Sequence, residues 1–134
     1  MQFFDKQIFN DCVVESFKLS EPNISIAQDF KSVLESDIDA GYLNIIVDLT
    51  NCKSLNPAII GVMVVTLKKL NKLGGTIKII KPGLFNQSVL NFTGTIEIFE
   101  RYESLNKAID SFNSNNSKSQ DKDSKSLNEL ALAS

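Results

Sequence analysis

Histidine is missing from this chain of 134 residues, and arginine occurs only once, at Arg101. Histidine is the commonest general base and the commonest metal ligand, so its absence argues against triad hydrolases and most zinc enzymes. A single arginine and a net charge of −2 argue against a nucleic-acid partner, because phosphate recognition depends on clustered basic side chains. The composition therefore points away from nucleic-acid binding and from most catalytic classes.

Cysteine is scarce as well, since Cys12 and Cys52 are the two in the chain and no CxxC spacing occurs. Two thiols cannot complete a structural zinc site, so both are expected to be buried and unreactive. No stretch approaches the roughly eighteen consecutive apolar residues that cross a bilayer. We therefore expect no metal, no cofactor, no direct membrane insertion and a cytoplasmic location.

What remains is enough chain for one domain, with 43% apolar and 22% charged residues, as in soluble globular proteins. The composition changes after Phe112, because residues 113–134 contain six serines and four asparagines. We predict a folded domain over residues 1–112 and a polar C-terminal tail over 113–134 that is expected to be disordered. The last eight residues, LNELALAS, regain a weak helical pattern, which fits a frayed terminus or a docking segment.

Strand-like and helix-like patterns alternate along residues 3–112. Strands are predicted at 3–9, 12–19, 43–49, 76–80 and 96–99, and helices at 26–34, 56–73, 84–92 and 104–112. The order β-β-α-β-α-β-α-β-α predicts an α/β fold with a mixed, mainly parallel sheet of four to five strands and about four helices.

The start of the second predicted helix is the most informative segment. Asn56 is a good N-cap residue, and Pro57 suits the first helical position, where its missing N–H is not needed. One apolar stripe is predicted to face the sheet, and its members are Ile60, Met63, Val64, Leu67 and Leu70. Val62 and Val65 fall roughly opposite that stripe, which leaves apolar surface that either the chain or a partner has to cover.

The element order and four sequence segments resemble a STAS domain, the module of bacterial anti-sigma factor antagonists, over about residues 10–112. The segments are IIVDLTNCKSLNPAIIGVMV (45–64), NKLGGTIKIIKP (71–82), VLNFTGTIEIF (89–99) and ESLNKAI (103–109). The resemblance implies the STAS fold, a regulatory rather than enzymatic role, and a protein partner such as a kinase-like anti-sigma factor or another regulator of transcription.

The chain departs from the family pattern at the site of phosphorylation. In phosphorylation-controlled antagonists a D-S-S segment begins the second helix, and its second serine receives the phosphate. Asn56, Pro57 and Ala58 occupy these positions here, so the resemblance implies that the phosphoacceptor is lost at Ala58. Thr50, Ser54 and Thr66 are the hydroxyls that remain open as substitutes. The family's last glycine is kept at Gly61, whereas Ile59 replaces the preceding one.

Two functional hypotheses follow from the resemblance. The first is a constitutive partner-binding module, with a contact surface predicted at Asn56, Pro57, Ala58, Ile59, Val62 and Val65. The second is a STAS scaffold or subunit of a stress-signalling assembly or of a phospholipid-transport ABC system. A neighbouring gene for an anti-sigma factor or for a transporter permease would separate them. A homodimer and a monomer are both compatible with the sequence. An enzyme is disfavoured, because Asp48 has no companion residues at catalytic spacing.

Overall fold

The computed structural model describes residues 3–18, 24–52, 56–80 and 98–118. Within these ranges it contains five strands, β1 (Phe4–Phe9), β2 (Cys12–Phe17), β3 (Asn44–Asp48), β4 (Thr76–Ile80) and β5 (Glu100–Tyr102). It also contains three helices, α1 (Ile24–Asp39), α2 (Pro57–Lys72) and α3 (Leu105–Lys118). The predicted α/β class and the mixed sheet are confirmed. The helix predicted at 84–92 lies outside the described residues.

The five strands form one sheet in the order β1-β2-β3-β4-β5. The hairpin pair β1 and β2 is antiparallel, and the other three pairs are parallel. β3 lies in the middle of the sheet, where Ile45, Ile46 and Val47 are fully buried. The continuous apolar run of β3 is typical of a parallel strand covered on both faces.

The helices cover the two faces of the sheet unequally. α1 and α2 pack on one face over the larger core, in which three rings, Phe4, Phe17 and Phe30, lie with centroids 4.8 to 5.6 Å apart. α3 covers the other face, where Ala108 and Phe112 meet Val14, Ile46 and Ile80. None of the helices in the described part of the chain is long and apolar enough to cross a membrane.

Three predicted boundaries are wrong. α1 extends to Asp39 rather than ending near residue 34. Of the strand predicted at 96–99, residues 96 and 97 lie outside the described residues, and Ile98 and Phe99 precede the strand Glu100–Tyr102 that pairs with β4. α3 continues to Lys118, six residues beyond the predicted end of the last helix at residue 112.

Candidate functional site

The first turn of α2 has the predicted capping geometry. Asn56 has extended backbone angles, φ −66° and ψ 138°, and its Oδ1 accepts a hydrogen bond of 2.8 Å from the backbone N–H of Ala58. Pro57 occupies the first helical position. The cap satisfies one of the N–H groups that a helix start leaves without an intrahelical partner, and proline supplies no unused donor. This turn is therefore well fixed in position.

A carboxylate fixes the chain directly after β3. Asp48, the last residue of β3, accepts a hydrogen bond of 2.9 Å from the backbone N–H of Thr50 and a second, short bond from the Thr50 hydroxyl. The hydroxyl of Ser16, at the matching position of β2, donates a long bond of 3.5 Å to the other oxygen of Asp48. Asp48 therefore links the ends of β2 and β3 to the first residues after β3.

The predicted contact residues divide by exposure. Pro57 is exposed, Asn56 and Ala58 are half-buried, and Val65 is the most open with 64% of its surface exposed. Val62 is half-buried because it packs against the core. Asn56, Pro57, Ala58 and Val65 therefore all have solvent-accessible surface, although Ala58, like Val62, also packs against the core.

Ile59 is not part of that surface. Its side chain is fully buried in the core, so the expectation that it stands off the core stripe is wrong. The reason is that α1 packs alongside α2 and widens the buried arc of α2 towards α1, which also encloses Thr66. The Ile59 side chain therefore fills the core.

The three candidate hydroxyls have different environments. Thr50 is exposed, and its hydroxyl is bonded to Asp48. Thr66 is only 5% exposed, which shields it from a kinase. Ser54 lies outside the described residues.

A groove between α1 and α2 adjoins the exposed part of α2, and we call it the α1–α2 groove. Its volume is about 330 Å³, and its walls are Lys31, Glu35, Ile38, Gly61, Val62, Val65, Thr66 and Lys69. Of the residues in these walls, the predicted contact surface includes only Val62 and Val65. The residues of α1 were missed because periodicity identifies the face that a helix buries, and not which neighbouring helix it meets.

A larger cavity of about 520 Å³ lies between β1 and α1, and buried charges border it. Lys6 Nζ lies 2.6 Å from Asp37 Oδ1 and 3.5 Å from Glu15 Oε2, and both carboxyl groups are only 1% exposed. Burial, followed by the hydrogen bond to Asp37, raises the pKa of Glu15 to about 9. The hydrogen bond from Lys6 to Asp37 raises the pKa of Lys6. One ammonium group thus joins two carboxyl groups that share a buried site.

The cysteines provide no activated nucleophile. Burial raises the pKa of the Cys12 thiol to about 11, with a further contribution from Asp11. Burial and then Asp48 raise the pKa of the Cys52 thiol to about 12. Catalytic thiols have depressed pKa values, so these two behave as apolar core residues. Within the described ranges no group of three or more histidine, cysteine or acidic side chains is arranged to hold a metal ion.

Comparison with known proteins identifies the fold. No family model matches the chain. A Thermotoga neapolitana protein is named "Putative anti-sigma factor antagonist TM1081 homolog". It is 28% identical to this chain over 108 residues, which are 80% of this chain and 95% of that protein. The crystal structure of a "putative anti-sigma factor antagonist" of Thermotoga maritima superposes with a TM-score of 0.70 at 26% identity, covering 81% of this chain and 92% of the other. A STAS domain protein of Planctomyces limnophilus superposes with a TM-score of 0.72 at 15% identity, over 82% of this chain and 97% of that one.

These similarities agree with the geometry described above. The chain has the fold of STAS-domain proteins. Its relatives in sequence and structure are anti-sigma factor antagonists and other STAS-domain proteins.

Proposed function

We propose that this protein is a non-catalytic module that binds an anti-sigma factor or a similar regulator and thereby acts in bacterial transcription control. The observation that carries the proposal is the exposed surface of α2, where Pro57 in the capped first turn and the apolar side chain of Val65 two turns later face solvent. A valine that is 64% exposed on a rigid helix is the kind of side chain that gains free energy when a partner covers it. The names of the sequence relatives favour an anti-sigma factor as that partner.

The module should bind its partner without a phosphorylation switch at the usual position. Ala58 offers no hydroxyl, while its backbone N–H is already bonded to Asn56. The helix start is therefore preserved although the phosphoacceptor is gone. Burial of Thr66 removes one substitute, which leaves Thr50 as the accessible hydroxyl of the described loop.

The lost hydroxyl also favours the second function, a scaffold or subunit role in a stress-signalling assembly or in a phospholipid-transport ABC system. Such a role needs the fold and the contact surface but no phosphate on residue 58. The gene beside the coding sequence distinguishes the two functions, because an anti-sigma factor gene supports the first and a permease gene the second.

The experiment is a calorimetric titration of the purified protein with each anti-sigma factor of its source organism. Val65→Asp should weaken the complex by about 2 kcal/mol or more, because the new carboxylate has to be desolvated in the interface. Val65 is a better test than Val62, since an aspartate at the half-buried Val62 would also disturb the core.

Ile8→Asp is the matched control, because Ile8 is 52% exposed on β1, at the far edge of the sheet from β4. It should leave the affinity unchanged. Equal affinities of the wild type and Val65→Asp would place the interface elsewhere, and binding to none of the anti-sigma factors would leave the scaffold role as the better explanation.

Ala58→Ser tests the switch separately. If a bound anti-sigma factor is a kinase, incubation with ATP should phosphorylate Ala58→Ser and leave the wild type unmodified at residue 58, as read by mass spectrometry of the α2 peptide. A phosphate on Thr50 of the wild type would show that the switch has moved to a neighbouring hydroxyl and would contradict constitutive binding.

A further inference from the structure

We infer that the α1–α2 groove receives an apolar side chain of the protein partner that is accompanied by an acidic residue, and that Gly61 is the point of closest approach. This inference rests on the proposed function and adds the chemistry of the docking segment. It extends the contact surface from the first turn of α2 to the side of the helix that faces α1. The shape, the polarity and the charge of the groove support this assignment.

Gly61 is the observation on shape. It lies in the second turn of α2 with an ordinary helical backbone, and a Cβ atom added there would meet nothing within 4 Å. Neither the backbone nor the packing of the described residues therefore requires glycine at this position. Glycine inside a helix costs stability relative to alanine. Residues that break a local rule without a folding reason are expected at functional surfaces.

The walls beside Gly61 are apolar. Val62 and Ile38 form the deeper part, where Ile38 is 9% exposed, and Val65 stands at the rim. The groove of about 330 Å³ is larger than one aliphatic side chain. A leucine or isoleucine from a partner would bury apolar surface on both helices at once, while the absence of a side chain at Gly61 lets the partner backbone come close.

The charge at the rim favours an acidic neighbour of that anchor. Lys31 and Lys69 border the groove against one carboxylate, Glu35, although the whole chain carries a net charge of −2. Among the residues that the structure describes, no carboxylate lies within ion-pair distance of either ammonium group. Lys69 belongs to the last turn of α2, where the helix dipole favours a cation. Lys31 lies in the middle of α1, where the helix dipole does not favour a cation. Its positive charge at the rim is therefore the stronger indication of an acidic partner residue.

Two other occupants make different predictions. Residues 127–134 combine leucines with Glu129, so the end of this chain has the same chemistry as the expected segment. However, α3, from which it continues, packs on the opposite face of the sheet from α1 and α2. A second copy of the chain could also cover Val65. The experiment distinguishes both from a partner protein.

The test uses the full-length protein labelled with ¹⁵N and three small probes with the same apolar end. These are 4-methylpentanoate, 4-methylpentan-1-ol and 4-methylpentylammonium, followed by amide chemical shifts. The largest shifts should fall on Gly61, Val65 and Ile38, and the carboxylate should bind about two- to fivefold more tightly than the alcohol, as expected for a solvated charge pair. The ammonium probe should bind most weakly.

Variants separate the contributions of shape and charge. Lys31→Glu should abolish the preference for the carboxylate, whereas Lys107→Glu on α3 should not alter it. Gly61→Ala should raise the Tm by a few degrees, because alanine favours the helix, and should weaken all three probes. A higher Tm together with weaker probe binding would show that glycine at position 61 is needed for binding and not for folding.

Several results would overturn the inference. Probe shifts spread over the surface, or equal binding of all three probes, would show that the groove has no such selectivity. Probe-dependent shifts of Leu127, Leu130 and Leu132 would identify the chain's own end as the occupant, and groove shifts on dilution without a probe would identify a second copy. Because no partner is used, failure here leaves the titration of anti-sigma factors as an independent test of the proposed function.

Discussion

Asn56 shows how a single side chain can fix the start of a helix. Its Oδ1 bonds to the N–H of Ala58, so the cap does not depend on the residue at position 58. Asn56→Ala should lower the free energy of unfolding by about 1 kcal/mol, because the N–H of Ala58 loses its partner. Asn56→Asp should be neutral or slightly stabilising, since a carboxylate also accepts this bond and interacts favourably with the helix dipole. Urea unfolding measures both changes.

Pro57→Ala is a useful control for the cap, because it changes the next residue and leaves the hydrogen bond from Ala58 to Asn56 in place. Large and equal losses from the alanine and aspartate replacements of Asn56 would contradict the cap assignment. They would mean that the NH₂ group of the amide makes a necessary contact.

Glu15 is a second residue whose chemistry predicts a measurement. Its carboxyl group is 1% exposed beneath α1, facing Lys6 of β1 and Asp37 of α1, and its pKa is raised to about 9 by burial and by Asp37. In the unfolded chain the pKa returns to its ordinary value of 4.5. Between these two values the native state retains a proton that the unfolded state has lost, so the free energy of unfolding should fall as the pH rises.

Glu15→Gln should remove most of that fall, because the amide keeps the size of the side chain and has no proton to release. Urea unfolding between pH 5 and pH 9 measures the fall in the free energy of unfolding. For one proton this free energy changes by at most about 1.4 kcal/mol per pH unit. The raised pKa values of Lys6 and the two thiols act at higher pH. Asp29→Asn, which removes an exposed carboxyl from the same cavity, should retain the fall. An unchanged slope in Glu15→Gln would assign the proton to another group.

Strands and helices with strong local sequence signals could be predicted from the sequence. β3 and β4 are apolar runs, α2 begins at a cap, and α2 is followed by a glycine pair with two separate functions. Gly74 has φ +87°, which suits the turn after a helix, and a Cβ on Gly75 would collide with the backbone of Leu43. Gly74 therefore follows from the local helix end, whereas the need for glycine at position 75 depends on Leu43, which is distant in sequence.

Other element-level predictions failed because they depend on neighbours in space. The apolar run before Glu100 suggested a strand, yet the pairing with β4 begins at Glu100. The burial of Ile59 follows from the position of α1, which no local pattern of α2 reports.

Lys78 shows the same limit on β4. It is 1% exposed, although lysine normally indicates a solvated position. Its ammonium group donates a hydrogen bond of 2.7 Å to the Ser111 hydroxyl of α3 and lies 4.0 Å from the centroid of the Phe112 ring. Glu100 of β5, with Oε1 at 3.5 Å, supplies the opposite charge. A helix that is distant in sequence therefore decides where this lysine can be placed.

At the scale of the whole molecule, the two faces of the sheet have separate tasks. The face covered by α1 and α2 holds the larger core and carries the candidate contact surface and the α1–α2 groove. The other face is closed by α3 through Lys78, Ala108 and Phe112. This division predicts that the residues after α3 contribute to neither core.

The final prediction concerns the residues after α3, which extends to Lys118, whereas the sequence predicts a domain end at Phe112. Residues 119–134 have a polar composition up to Ser126, which offers little apolar surface to offset the entropy lost on ordering. Removing residues 119–134 should therefore leave the Tm within about a degree of the full-length value in a calorimetric scan. Removing residues 113–134 is the matched comparison, because it also deletes the last turns of α3 beyond Phe112 and should lower the Tm. A loss of several degrees from the shorter deletion would show that the LNELALAS segment packs on the domain, and Leu130→Asp in the full chain should then reproduce that loss.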